Sequence, residues 1–572
     1  MARRFTHSSQ RRASLVSTSV GRHGLFVPQD LIKTEDFTAV VNDQDLEEDE
    51  PLIDSQVQPY SATSKDIAEE AELLQANRFP IRRYSSVPSV SVPPAEDREA
   101  INESWDKALR DGKITTTPLF ELKKMFLSSV PLVITFLLQN SLGVASIFAV
   151  GHISPEALAG ITLGTMSCNI SAIAVIAGLA SSLDTFLPQA YGAKKYKIVG
   201  LIFQRCTALI FTIMFIVCVA WWIWAEQVLT KVLPSAESAS LAAVYLKVIT
   251  FGLPGYILFE TGKRFLQAQG VFEASTYVLF VCAPFNALLN YLFVWVFKMG
   301  YIGAPIAVSV NYTLMAVGLF AYTVWTKNVA NPMKCWNGLT PRKAFSNWGE
   351  LVKLSIPNLI MIMSEFLSFE ILTLLSSYLG TVPLAAQSVI TTMASLTYQV
   401  PYGVSIAAST RVANFLGAQL PREARIAAKM VFVFTAAIAV INSSFLLFDS
   451  RQIAGWFSND ADVIEVVTKV MPLVAFIQIF DAMNATSAGC LRGQGLQKIG
   501  GYVNLCSYYL IGLPLGFVLS FYFPKGHPMG LFGLWTGCGV ALAIIGIIQT
   551  YYSLAADYDK LAADALRRSE TD

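Results

Sequence analysis

The amino-acid sequence predicts an all-α integral membrane protein, with twelve transmembrane helices arranged as two six-helix lobes. A low content of charge, a series of long apolar runs and an internal repeat predict this fold. Of the 572 residues, 53% are hydrophobic and only 15% are charged, whereas soluble globular domains carry about 25% charged residues. Most of the chain is therefore expected to meet lipid rather than water.

The apolar runs begin at Phe126 and are each about 20 residues or longer, the length that crosses about 30 Å of hydrocarbon as a helix. Several runs contain proline, which membrane helices tolerate where neighbours satisfy the freed backbone groups. We place the twelve spans at residues 127–150, 157–183, 198–224, 240–261, 273–297, 302–326, 351–379, 383–408, 427–449, 463–488, 500–522 and 530–554.

The second half of the chain repeats the first. Pro131 of PLVITFLLQNSLG corresponds to Pro357 of PNLIMIMSEFLSF, 226 positions later, and RFLQAQG recurs as GCLRGQG at an offset of 225. Six spans per half give the two halves the same orientation, and paired bundles of this kind suit alternating access. The predicted domains are a disordered tail (1–120), a first lobe (121–330), a second lobe (331–555) and a C-terminal tail (556–572).

The distribution of basic residues predicts the orientation. Sixteen Lys and Arg residues, Lys263, Arg264, Arg411 and Arg492 among them, are assigned to the even-numbered connections, against four in the odd-numbered ones. Cytoplasmic connections carry such an excess. Both termini and both tails are therefore expected in the cytoplasm.

Several classes of function find no support in the sequence. The net charge is +1, so no field indicates nucleic acid. The eight cysteines are not spaced as zinc ligands, and there is no Gly-rich phosphate loop or HExxH. We expect no enzyme activity, no metal and no cofactor; a proton, or alternatively sodium, would serve as coupling ion.

Acidic residues inside the apolar spans are the main candidates for function. A charge at the centre of a membrane helix costs about 2.5–3.5 kcal/mol on insertion scales. Glu365 and Glu370 lie in the seventh span and Asp481 lies midway along the tenth. Asp184 and Glu260 lie near span ends, where snorkelling or capping is a sufficient explanation, and are secondary candidates.

Helix geometry separates the two glutamates. Five residues correspond to a rotation of about 140° and a rise of about 7.5 Å, so one glutamate is expected to face the central cavity and the other an interhelical pocket. Because the seventh and tenth spans belong to the same half, Asp481 can share a pocket with Glu365 and titrate with it as one unit. The supporting polar residues expected inside spans are Gln139, Asn140, Gln387, Tyr398, Gln399 and Asn484.

Several long stretches, in order, carry a family resemblance: GLASSLDTFLPQAYGAKK, SEFLSFEILTLLSSYLG, LAAQSVI, QVPYGVSIAASTRVANFLGA and GCLRGQGLQKIGG. They resemble the signature stretches of eukaryotic MATE (multidrug and toxic compound extrusion) transporters over residues 120 to about 555, and the Ser-rich tail is similar to those of fungal members. The resemblance implies a MATE/MOP-like fold and exchange of protons for organic cations, metabolites or drugs.

The resemblance also implies residue roles. The family's glutamate pair maps onto Glu365 and Glu370, and its acidic residue on the tenth helix maps onto Asp481. Glu365 and Asp481 would then form the proton and cation site of the second lobe. Phe366-Leu367 replaces a Trp pair usual in eukaryotic relatives, and Gln139 replaces the acidic residue of many prokaryotic ones. No proton site is therefore expected in the first lobe.

Two other functions stay open from the residues. A lipid-linked precursor flippase of the wider superfamily would line its cavity with basic residues, which are almost absent at the midplane here. A non-transporting receptor or scaffold would not need unpaired carboxylates at the midplane. A proton-coupled antiporter for organic cations, xenobiotics or metabolites accounts for those carboxylates.

The N-terminal tail carries short targeting patterns. EDEPLI, with Glu48, Leu52 and Ile53, fits the acidic dileucine signal that adaptor complexes read. Ser14 and Ser85 follow arginine pairs and resemble kinase sites, where phosphate would add negative charge. The dileucine pattern favours the vacuolar membrane, with the plasma membrane as the alternative.

Overall fold

A computed structural model of the protein describes residues 116–151, 153–193, 195–232, 236–325, 332–336, 338–448, 450–457, 460–523 and 528–570. The predicted adaptor signal, both predicted kinase sites and the predicted disordered tail up to residue 115 lie outside the described residues.

The first lobe contains six spanning helices. They are α1 (Pro118–Gly151), α2 (Glu156–Gly192), α3 (Tyr196–Val232), α4 in two parts (Ala236–Ile249 and Leu253–Ala268), α5 (Glu273–Val296) and α6 (Gly303–Trp325). The two parts of α4 meet at 59°. Pro254 lies at the start of the second part, where the missing N–H of proline is tolerated.

The second lobe repeats this arrangement and is followed by one more helix. Its spans are α7 (Gly349–Ser377), α8 (Thr381–Gly417), α9 (Pro421–Phe448), α10 (Ala461–Gln494), α11 (Gln497–Phe521) and α12 (Leu531–Ala555), and the additional helix is α13 (Tyr558–Glu570). The predicted fold of twelve helices is confirmed. Several helices run beyond the predicted spans; α1 begins at Pro118 and α8 ends at Gly417.

One spanning helix is more polar than the others. Ten described helices are each long and apolar enough to cross a membrane, and the bent α4 pair makes an eleventh span. The twelfth, α8, has 37 residues but falls short in hydropathy because serine, threonine, glutamine and tyrosine interrupt its apolar positions. Such a helix is stable in a membrane when neighbouring helices cover its polar groups.

The close contact between α8 and α10 depends on small residues. A Cβ atom on Gly489 would overlap the carbonyl oxygen of Ser405, and one on Gly493 would crowd that of Ser409. Small residues let membrane helices approach until their backbones touch. This contact carries the polar face of α8 against α10.

The two lobes meet at one end of the bundle, where α2, α4, α8 and α10 finish; we call it the basic end. There a Cβ on Gly192 would overlap the backbone of Asn414, and one on Gly417 would overlap that of Gln189. The ends of α2 and α8 are therefore in backbone contact across the interface between the lobes.

The contact between the lobes continues from the basic end toward the middle of the bundle. The rings of Phe136 on α1 and Tyr402 on α8 are in edge contact at 4.7 Å, and farther from the basic end a cavity of about 410 Å³ opens between α1, α8 and α9. Its lining is mainly apolar and includes Leu137, Met393, Leu396 and Phe445. The structure is thus closed at the basic end.

The last helix, α13, packs beneath both lobes at the basic end. Its buried side chains Tyr558, Leu561 and Ala565 join the hydrophobic core. Arg568 donates a hydrogen bond of 2.8 Å to Gln189 of the first lobe, and Gln419 of the second lobe donates one of 2.6 Å to the carbonyl of Ala562. The segment 556–572, which the sequence indicated only as a tail, therefore includes a helix that connects the lobes.

Four of the basic residues counted for orientation do not lie in connections. Lys263, Arg264, Arg411 and Arg492 are inside helices and no more than 5% exposed, because carboxylates within the bundle pair with them. Counting these four residues among the basic residues of the connections was wrong.

Candidate functional site

Two of the predicted acidic residues lie together in the second lobe. Asp481 on α10 is 6% exposed, and Oδ1 of its carboxylate is buried with no hydrogen-bond partner. Glu365 on α7 is half-buried beside Tyr398 of α8, and it lies within electrostatic range of Asp481. Three helices, α7, α8 and α10, thus bring one residue each into a common group, which we call the carboxylate site.

The carboxylate site has unsatisfied polar groups that protein atoms alone do not explain. The hydroxyl of Tyr508 on α11 has no hydrogen-bond partner, and Asn484 lies beside Glu365. Most buried polar groups in folded proteins are paired. Unpaired polar groups therefore surround Glu365 and Asp481.

Sequence reasoning missed Tyr508. The residue is 1% exposed and belongs to a π-helical turn, Ser507–Gly512, inside α11. Such turns often lie at functional sites. The turn follows GCLRGQGLQKIGG in the chain, but nothing in the spacing marks the helix as wider there.

The other predicted residues of the second lobe lie in different surroundings. Glu370 is half-buried and forms no ion pair among the described residues. Gln387 is fully buried and accepts a hydrogen bond of 2.8 Å from the indole of Trp535 on α12, so its contacts are those of a structural link between helices. Gln399 is half-buried.

The first lobe holds a buried network of ionic groups. Lys263 on α4 lies 2.6 Å from Oε1 of Glu260, and Arg264 lies 2.6 Å from its Oε2. Gln139 of α1 donates a hydrogen bond of 2.7 Å to Glu260 and accepts one of 3.1 Å from Lys263. Asn140, the neighbour of Gln139, is exposed.

Asp184 connects this network to the second lobe. Its Oδ1 lies 3.2 Å from Nε of Arg264, and its Oδ2 lies 3.8 Å from Nε of Arg492 on α10. Arg492 also donates a hydrogen bond of 3.0 Å to the hydroxyl of Ser405. We call Asp184, Glu260, Lys263, Arg264 and Arg492 the ionic cluster.

The expectation that snorkelling or capping explains Asp184 and Glu260 was therefore wrong. The two residues are 5% and 2% exposed, so neither reaches the interface by snorkelling, and neither caps a helix end. They are ionic partners of three buried cations. Sequence reading placed them near span ends because α2 and α4 continue well past the apolar stretches.

A second ion pair between the lobes was not anticipated. Arg411 on α8 donates hydrogen bonds of 2.9 and 2.7 Å to the two carboxylate oxygens of Glu121, in the first turn of α1. Glu121 is 0% exposed. A bidentate pair of this type is strong and directional. The lobes are therefore joined at the basic end by two ion pairs, Arg411 with Glu121 and Arg492 with Asp184.

Within the described residues no group of three or more His, Cys, Asp or Glu side chains could hold a metal ion. The cysteines of this part are free thiols.

The fold and the two sites define a class of protein. Two repeated bundles of six helices enclose buried carboxylates, and the bundles are closed against each other at one end. This is the architecture of a membrane transporter built from two repeated bundles.

The chain belongs to the MATE family. The MatE family profile matches residues 131–292 and again residues 357–518, and this double match confirms the internal repeat at its offset of 226. The chain is 38% identical over 557 residues to an uncharacterized transporter of Saccharomyces cerevisiae, covering 94% of this chain and 78% of the relative.

Animal and plant proteins are similar as well. The chain is 33% identical to multidrug and toxin extrusion protein 2 of Mus musculus, over 74% of this chain and 73% of that protein. The crystal structure of the eukaryotic MATE transporter AtDTX14 superposes with a TM-score of 0.73 at 29% identity, covering 79% of this chain and 99% of that one. The protein is thus a transporter and not an enzyme.

Proposed function

We propose that the protein is a proton-coupled antiporter that exports or sequesters organic cations, including xenobiotics and metabolites. The observation that carries this proposal is the difference between the two sets of buried acids. In the ionic cluster each carboxylate lies against an arginine or lysine, whereas Asp481 forms no ion pair within the described residues and its Oδ1 has no hydrogen-bond partner.

An unpaired buried carboxylate needs a positive charge or a proton. A bare charge in a medium of low dielectric constant is costly, so the group neutralises itself by binding a proton unless a cation is present. Glu365 and Asp481 lie within electrostatic range of each other, so protonation of one affects protonation of the other. A proton and an organic cation would therefore compete for the carboxylate site, and this competition is the physical basis of exchange.

The lining of the cleft supports a lipophilic cation as substrate. The cavity between the lobes is bordered by apolar side chains such as Leu396 and Phe445, with Thr397 and Asn442 as its polar members. A cation with an apolar body would be compatible with these side chains. A pyrophosphate-linked lipid would meet no basic side chain among these residues.

The orientation and the membrane are part of the proposal. Lys195, Lys197, Arg422, Arg425 and Lys498 lie at the basic end, which we therefore place in the cytoplasm together with both termini. The dileucine pattern at Glu48, Leu52 and Ile53 supports delivery to the vacuolar membrane by an adaptor complex, and kinases acting at Ser14 or Ser85 would modify the same tail.

Transport by the purified protein in liposomes tests the function. Liposomes loaded with a fluorescent organic cation should release it when a pH gradient is imposed, and Glu365→Gln should abolish the release. Glu350→Gln is the matched control, because Glu350 lies on the same helix but its side chain is 49% exposed. Release driven by a sodium gradient, with no response to pH, would show that the coupling ion is not a proton.

A further inference from the structure

The ionic cluster has one positive charge in excess. It contains three cations, Lys263, Arg264 and Arg492, and two carboxylates, Asp184 and Glu260, so its net charge is +1. All five side chains are at most 5% exposed. A net charge buried between two lobes destabilises their contact unless another charge nearby compensates it.

The excess positive charge lies mainly on Arg492 of the second lobe. Glu260 lies against both Lys263 and Arg264 at 2.6 Å, whereas Arg492 lies 3.8 Å from Asp184, which it shares with Arg264. Nε of Arg492 and Oδ2 of Asp184 lack hydrogen-bond partners. Arg492 is thus the least neutralised cation of the cluster.

Arg492 also faces the carboxylate site. Its hydrogen-bond acceptor Ser405 lies seven residues after Tyr398 on α8, which is two turns and about 10.5 Å along the same face. Tyr402 lies between them, stacked on Tyr398 at 5.8 Å. Glu365 lies within electrostatic range of Arg492.

Charged and titratable side chains from several helices surround Arg492 and Glu365. The titratable or charged side chains around Arg492 are Asp184, Arg264, Glu365, Tyr398, Tyr402 and Cys490. Those around Glu365 are Tyr398, Asp481, Arg492, Tyr508 and Cys538. Among these side chains, Glu365 and Asp481 of the carboxylate site are the carboxylates other than Asp184.

We propose that Arg492 couples the carboxylate site to the basic end: the negative charge shared by Glu365 and Asp481 balances the excess positive charge of the ionic cluster, and neutralising it releases the contact between the lobes. This inference deepens the proposed exchange function and rests on it. Either a bound proton or a bound organic cation would neutralise the carboxylates, so either would permit the basic end to open. With the site empty and charged, the cluster is balanced and the basic end stays closed.

A single buried reporter measures the opening without any transport. Asn414 is 7% exposed and its backbone touches Gly192 across the interface between the lobes. In a Cys506→Ser background, which removes the exposed native thiol, Asn414→Cys is alkylated by a hydrophilic maleimide in detergent. The rate at each pH is divided by that of the unfolded protein, which removes the intrinsic pH dependence of the thiol.

The charge count fixes the sign of each result. The reporter protein should react faster by about tenfold at low pH than at neutral pH, and Glu365→Gln should react fast at all pH values. Arg492→Gln makes the cluster neutral, so the acceleration at low pH should vanish or reverse. Asp184→Asn raises the excess to +2 and should give a fast rate already at neutral pH.

Arg411→Gln is the matched control. It breaks the other ion pair between the lobes, which among the described residues shares no ion pair with the ionic cluster, so it should raise the rate at all pH values and keep the acceleration at low pH. The inference is overturned if Arg492→Gln retains the acceleration of the reporter protein, or if Arg411→Gln loses it. A misfolded Arg492→Gln protein would react fast everywhere; Arg492→Lys, which keeps the charge and should keep the acceleration, then decides between the two readings.

The result separates this inference from the proposed function. If transport is driven by protons while Arg492→Gln still responds to pH, the coupling role is wrong and the exchange function stands. If liposomes show no proton-driven transport while the reporter responds through Arg492, the exchange function is wrong and the electrostatic link stands.

Discussion

Arg411 and Glu121 come from different lobes and form a bidentate ion pair with donor–acceptor distances of 2.9 and 2.7 Å. The guanidinium also lies 4.4 Å from the ring centroid of Phe415, which adds a cation–π contact. The pair closes the α1 and α8 side of the interface. Its environment is fully buried, in contrast to an ion pair at a protein surface.

Breaking this pair should destabilise the protein strongly. Arg411→Met leaves the carboxylate of Glu121 buried without a partner, and loss of one member of a buried pair costs about 3–5 kcal/mol. We expect a lower midpoint of thermal unfolding in detergent. The double variant with Glu121→Gln should recover part of the loss, because no unpaired charge then remains.

The control for this experiment is the ion pair of Glu350 with Lys353, whose side chains are 49% and 65% exposed. Lys353→Ala should change the unfolding midpoint little, since exposed pairs contribute about 0–1 kcal/mol. Equal shifts for Arg411→Met and Lys353→Ala would contradict the structural role of the buried pair.

The carboxylate site should bind cation and proton in competition. Lowering the pH should weaken binding of a fluorescent organic cation to the purified protein, because protonation removes the negative charge that attracts it. Asp481→Asn and Glu365→Gln should each abolish this pH dependence, and the double variant should be no worse than either, since residues that act as a unit are not additive. Fluorescence titration at several pH values measures the affinity of each variant for the cation.

Substitution of Glu370 distinguishes the roles of the two glutamates of α7. Because Glu370 forms no ion pair in the described part of the chain and is half-buried, Glu370→Gln should weaken binding less than Glu365→Gln. A larger loss of binding for Glu370→Gln than for Glu365→Gln would place the cation site nearer to Glu370 on α7.

Enlarging Gly489 should disrupt the second lobe. A Cβ there overlaps the backbone of Ser405, so Gly489→Ala forces α8 away from α10 at a cost of about 1–3 kcal/mol. The unfolding midpoint and the monodispersity of the purified protein report the change. Gly455→Ala is the control, since no atom lies within 4 Å of its added Cβ, and it should leave both measurements unchanged.

Removing α13 should favour opening of the basic end. The helix touches both lobes through Arg568 with Gln189 and through Ala562 with Gln419, so its contacts exist only while the lobes are together. Deletion of residues 557–572 should increase alkylation of Asn414→Cys at neutral pH while leaving the acceleration at low pH in place. An unchanged rate would show that α13 does not hold the lobes together.

The fold was predictable because it depends on long apolar runs and on a repeat, and both are properties of a single sequence. The proximity of Glu365 and Asp481 was expected because the seventh and tenth spans belong to the same lobe. Local properties of the chain were enough for these features.

The ionic cluster was not predictable in the same way. Its members come from α2, α4 and α10, and hydropathy alone assigns Lys263, Arg264 and Arg492 to connections, since charge normally ends a span. Whether a carboxylate such as Asp184 faces an arginine depends on the packing of one lobe against the other, which no local pattern in the chain records. Glu121 was missed for the same reason, as it lies before the first apolar run.

The polarity of α8 has a consequence for the order of biosynthesis. Its Gln387 is covered by Trp535 of α12, and its Ser405 lies against α10; both partners are synthesised later than α8. A polar segment enters lipid poorly by itself, so we expect α8 to remain at the insertion machinery until the last helices emerge. The second lobe would then enter the bilayer as a group of helices, whereas the more apolar α1 and α3 can enter singly.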